Sequence, residues 1–124
     1  MATKTKRSGG LKRWRTAVAW AARVAHRGAP IAGDLALSVT FRTTRPATVK
    51  RARPSVKPDL SKLIRALEDA LTGIVWVDDS QVVRYDAIEK VYALPGQKPG
   101  AHVVVKVLET ESAKRREART KEAA

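Results

Sequence analysis

The chain has 124 residues, enough for one domain with a buried core and too few for two. Its 25 Lys and Arg outweigh 12 Asp and Glu, giving a net charge of +13, which favours a polyanion partner, either nucleic acid or an anionic membrane surface. It has no cysteine, which excludes disulfides and Cys-ligated zinc, and no apolar run approaches the ~20 residues that span a bilayer.

Residues 1–10, "MATKTKRSGG", read as a basic, disordered arm. Lys4, Lys6 and Arg7 precede Gly9–Gly10, with no apolar period and no signal-peptide core, so a cytoplasmic location is the default. From Leu11 to about Arg27 the spacing of Trp14, Val18, Ala21 and Ala25 predicts a helix. A second stripe of Ala17, Trp20 and Val24 predicts cover on two sides, and Gly28 with Pro30 stops the helix. "DLALSVTFR" alternates Leu35, Leu37, Val39 and Phe41 with small or polar residues, a strand with one buried face. Residues 42–58 hold Arg42, Arg45, Lys50, Arg51, Arg53 and Lys57, three prolines and no acid, and read as a mobile basic loop.

"LSKLIRALEDALTG" then places Leu60, Leu63, Ile64, Leu67 and Leu71 on one stripe, with Gly73 in position to end the helix. A turn at Asp78–Asp79–Ser80 leads to a strand, "LPGQKPG" has the length of a hairpin loop, and "AHVVVKVL" is a last strand. Residues 109–124 form a charged tail. The order of elements predicts an α/β (α+β) domain over 11–108, with two main helices on a small mixed, mostly antiparallel sheet.

The candidate chemistry lies in the acids around the second helix. Asp59 has two readings: a helix N-cap worth ~1 kcal/mol, or a metal ligand. Asp78 and Asp79 are likewise either turn residues or ligands. Acids beside a polyanion-binding surface repel phosphate unless a divalent cation lies between, and carboxylate oxygens suit Mg²⁺. A helix followed by a tight return is expected to bring Asp59 and Asp79 to one edge of the sheet. Arg65 is either an ion-pair partner of Asp69 or a cation for a scissile phosphate, and Lys90 has the same pair of readings. His26 and His102 lack metal-ligand spacing and are assigned to structure. No P-loop, GxSxG or HExxH is present.

The run "KPDLSKLIRALEDALTGIVWVDDSQV" resembles the core of the RusA-like Holliday junction resolvases of phages and prophages. Their pattern is P-D-x-D-[NK]-L, a Lys or Arg, D-A-L-T-G, then D-D-x-Q-V. The match is close from Lys57 to Val83 and looser over "RWRTAVAWAA" and Lys90. The resemblance implies a homodimeric, Mg²⁺-dependent endonuclease, with Mn²⁺ as a substitute, that nicks branched four-way DNA junctions and needs no small-molecule cofactor or membrane. It implies metal ligands at Asp59 and Asp79 with Asp78 alongside, and catalytic cations at Arg65 and Lys90. DNA contacts fall to the loop residues Arg45, Lys50, Arg51, Arg53 and Lys57. Two departures stand out. Ser61 replaces the second acid of the family pattern, and the short strand usual before the first helix has no counterpart. Ser61 leaves a second reading open: a junction-binding protein with an impaired metal site.

Overall fold

The computed structural model describes residues 2–108, with side chains from Gly10 onward; the charged tail lies outside the described residues. Its elements are α1 (Ala2–Ala25), β1 (Leu35–Thr43), α2 (Leu60–Leu71), a 3-10 turn (Asp79–Gln81), β2 (Val82–Tyr92) and β3 (Gly100–Val107). This is the expected α+β class, two helices on a three-stranded mixed sheet. No helix among the described residues is long and apolar enough to cross a membrane.

β1 is the central strand. It runs parallel to β2, with Leu35 opposite Val82 and Thr43 opposite Tyr92, and antiparallel to β3, with Leu35 opposite Val107. Parallel neighbours need a crossover, and the connection containing α2 supplies it. The segment "LPGQKPG" therefore does not close a hairpin. It carries the chain from one edge strand, past β1, to the other.

Alternation along β1 buries Leu35, Leu37, Val39 and Phe41 on one face. α2 lays Leu63, Leu67 and Leu71 on that face, and α1 adds Ala22, with Trp14 and Val18 packed at its margin. The Trp14 and Phe41 rings sit 5.9 Å apart at 47°, a favourable tilted contact. Trp76 is fully buried. Its indole N–H donates to Thr72 Oγ1 at 3.0 Å, and the Thr72 hydroxyl donates to the Glu68 carbonyl at 2.7 Å, so its burial leaves no orphan donor. Both helices share one side of the sheet. The opposite side carries Ser38 and Thr40, paired with Val104 and His102, and no helix among the described residues.

Two expectations for α1 are corrected. The helix begins at Ala2, so Ala2–Gly10 is helical rather than an irregular arm. Gly9 and Gly10 each cost about 1 kcal/mol there against Ala. Extension from an already packed segment needs no new nucleus, which lets the helix run through them. The second apolar stripe is also uncovered: Trp20 is 62% and Val24 63% exposed. Trp20 is met by the Arg23 guanidinium, 5.4 Å from its ring centroid, and not by a second layer.

Candidate functional site

Asp59 precedes α2 with extended backbone. Its carbonyl accepts from the Lys62 and Leu63 amides at 3.1 and 3.0 Å. Its carboxylate, however, accepts no capping hydrogen bond. The side chain is exposed and free of the structural duty that an N-cap Asp normally carries. Ser61, Arg65 and Asp69 follow at four-residue intervals along one exposed line of the helix. Asp69 pairs with Arg15 of α1 at 3.9 Å, an exposed contact of small worth, and not with Arg65. Among the described residues Arg65 has no ion-pair partner.

The two acids of the turn differ sharply. Asp78 closes a capping box: its carboxylate accepts from the Ser80 amide at 3.2 Å and from the Ser80 hydroxyl. These bonds hold its carboxyl below the usual carboxylate range. Gln81 completes the box by accepting from the Val77 and Asp78 amides at 2.8 and 2.9 Å. Its amide nitrogen donates to the Ile31 and Gly33 carbonyls, each at 2.8 Å, and so stitches the turn to the segment before β1. The turn reading of Asp78 is the one that the geometry supports. Asp79 is exposed, and its carboxylate forms no hydrogen bond among the described residues. Its charge reaches Glu68 and Tyr85.

Glu68 and Tyr85 form a pair that the sequence pattern did not single out. The Tyr85 hydroxyl donates to Glu68 Oε2 at 2.7 Å, joining the last turn of α2 to β2. Burial, aided by the charges of Asp79 and Asp69, pushes the Glu68 carboxyl up against the lowering effect of the Tyr85 hydrogen bond. Burial first, then the Glu68 bond and charge, pushes the Tyr85 hydroxyl up to about 12.

The basic loop is anchored, which corrects the expectation of a mobile segment. Pro54 is buried. Lys90 of β2 donates from Nζ to the Val56 carbonyl at 2.5 Å and to the Pro58 carbonyl at 2.9 Å. Two of its three N–H donors are thereby committed to the backbone just ahead of Asp59, which makes it a tether. Arg45, Lys50, Arg51, Arg53 and Lys57 are all exposed on this loop. Arg42 lies in β1.

Asp59 and Asp79 do not meet within one chain. Asp59 stands at the start of α2, beside the residues that Lys90 holds, whereas Asp79 faces Glu68 in the helix's last turn. Glu68 lies nine residues beyond Asp59, roughly 14 Å along the helix axis at 1.5 Å per residue. The expectation of a shared sheet edge fails because β2 starts where α2 ends. Among the described residues, no group of three or more His, Cys, Asp or Glu is gathered that could hold a metal ion. The donor chemistry of Asp59 and of Asp79 still suits a hard cation such as Mg²⁺, which takes one or two carboxylates and completes its shell with water and phosphate. His26 bonds the Ala29 carbonyl at 2.8 Å, in keeping with its structural assignment.

A two-layer α+β domain with a tethered cationic loop and two aspartates uncommitted among the described residues has the equipment of a phosphodiester-directed, DNA-binding protein. The family model of endodeoxyribonuclease RusA matches residues 2–107, and the chain belongs to that family. The family comprises Holliday junction nucleases that in general depend on a divalent metal. No curated protein matches the chain.

Proposed function

We propose that this protein is a homodimeric, Mg²⁺- or Mn²⁺-dependent endonuclease that nicks four-way DNA junctions by phosphodiester hydrolysis. Its setting would be recombination in a bacterial cytoplasm, encoded by a phage or prophage. The observation that carries the reading is the uncommitted carboxylate of Asp59 at the end of the basic loop, in a chain of this family. Arg45, Lys50, Arg51, Arg53 and Lys57 bind phosphates on either side of the scissile bond. Asp59 and Asp79 would hold the metal, and Asp78 shapes the turn that presents Asp79. A divalent ion held by these carboxylates would supply Lewis-acid polarisation of the phosphodiester and a more acidic attacking water. Arg65, exposed and without an ion-pair partner among the described residues, neutralises charge that builds on the phosphate oxygens. Lys90 supports this by fixing the backbone before Asp59.

The separation of Asp59 from Asp79 favours the dimer. A site that uses both needs a second copy, and a twofold axis then yields two equivalent sites for paired incisions. Ser61 favours a second reading, a protein that binds junctions but cuts them poorly or not at all. Incubation of a labelled four-way junction with and without Mg²⁺ or Mn²⁺ separates the two. Metal-dependent nicking that disappears in Asp59→Asn and in Asp79→Asn, with junction binding retained, supports the nuclease. Binding without nicking under any metal leaves the second reading. Sedimentation as a 13.6 kDa monomer at micromolar concentration rejects the paired sites.

A further inference from the structure

Tyr92 is the last residue of β2 and pairs with Thr43, the last residue of β1. The basic loop leaves the sheet at this point. The adjoining Ala93 amide donates to the Thr43 carbonyl at 2.8 Å, which fixes both strand ends. Two loop arginines converge on this one side chain. The Arg45 guanidinium lies over the Tyr92 ring, 4.8 Å from its centroid, and reaches the Ala52 carbonyl at 3.4 Å. Arg51 Nη1 donates to the Tyr92 hydroxyl at 3.1 Å. Ring stacking holds one face of Arg45 and leaves N–H groups at its rim, and Arg51 commits a single nitrogen. Two like charges held around one neutral side chain repel each other, and a phosphate bound between them relieves that repulsion.

We propose that Tyr92 is a positioning residue for DNA binding: its ring and hydroxyl hold Arg45 and Arg51 in place on the sheet edge before a phosphate arrives. The proposal rests on the reading that this loop contacts DNA. Flexible arginines must be ordered on binding, and that cost weakens the complex; arginines already ordered by a rigid strand avoid it. Arg53 and Lys50 carry the same charge but have no such support among the described residues, so Arg45 and Arg51 outweigh them in effect on affinity.

The test is a double-mutant cycle on binding to a labelled four-way junction, read by fluorescence anisotropy. Tyr92→Phe keeps the ring and removes the bond to Arg51; it should weaken binding about three- to fivefold in wild type and have no effect on an Arg51→Gln background. Tyr92→Leu removes both contacts and should weaken binding about tenfold. The Arg45 side-chain methylene protons should be shifted upfield by the ring in the free protein, an effect kept in Tyr92→Phe and lost in Tyr92→Leu. An equal penalty for Tyr92→Phe on both backgrounds, or no penalty on either, overturns the proposal while leaving the loop as a DNA contact. Wild-type binding by both Arg45→Gln and Arg51→Gln overturns the loop reading and the proposal together. If Tyr92→Leu does not fold, the Tyr92→Phe cycle decides alone, because that variant keeps the ring and the strand pairing.

Discussion

Lys90 Nζ donates to the Pro58 carbonyl at 2.9 Å, and so β2 holds in place the residue that precedes Asp59. Removing that ammonium frees two carbonyls and the end of the basic loop. Lys90→Met should therefore lower stability by about 1.5–3 kcal/mol, the range for hydrogen bonds that involve a charged group, as measured by urea unfolding. If Asp59 acts in cleavage, nicking should fall as well. A variant of unchanged stability would show that water replaces the tether without loss.

Ser61 tests the metal site. No acidic residue occupies the first turn of α2. Ser61→Asp restores the family's second acid on an exposed position, and nicking in Mg²⁺ should rise at least about tenfold, which requires only ~1.4 kcal/mol of added transition-state stabilisation. A purely local effect would add a few tenths of a kcal/mol through the helix dipole. Rate and melting temperature measured on the same variant separate the outcomes: a higher melting temperature at an unchanged rate removes Ser61 from any account of the site.

Glu68 makes stability depend on pH. Its folded carboxyl titrates above the usual range, so the native state holds this proton more tightly than the unfolded chain does. The resulting stabilisation is complete below the unfolded value of about 4.3 and is lost as pH rises through the folded value. Glu68→Gln should therefore gain stability relative to wild type as pH rises from 4 to 7, shown by paired denaturant melts. Tyr85 follows the same sign higher up. Its contribution is present below about 10 and fades as pH rises towards about 12. Tyrosinate absorbance should contain a late component that is absent from Tyr85→Phe.

Salt reports on the loop. If six to eight cations meet phosphates, log K should fall with log salt at a slope of roughly −5 to −7. Neutralising Arg51 and Arg53 together should flatten the slope by about two units. An unchanged slope would place the DNA elsewhere on the protein.

Much of the local structure was legible in the residues. The alternation from Leu35 to Phe41 marks a strand with one buried face, and the leucine stripe with Gly73 marks α2, where Gly73 adopts φ 86°. The partners of each strand were not legible. Alternation names a face and is silent on neighbours, so the parallel pairing of β2 and the bypass by "LPGQKPG" appear only in three dimensions. Asp59 and Asp79 look close because their segments adjoin in sequence, but a helix carries the chain away between them. Lys90 and Tyr92 read as ordinary strand residues. Their contacts with Pro58 and Arg51 span long stretches of chain, and no local pattern encodes those.

The central place of β1 has a consequence for how the molecule assembles. Leu35 meets Val82 on one side and Val107 on the other, so the strand made first waits for partners that leave the ribosome much later. Until then its apolar face has only the helices to cover it, and closing such distant pairs slows folding relative to a bundle of the same size. Once both neighbours are in place, β1 is the one strand of the described sheet without an open edge. Its amides should be the last to exchange with solvent, and their exchange should track global unfolding.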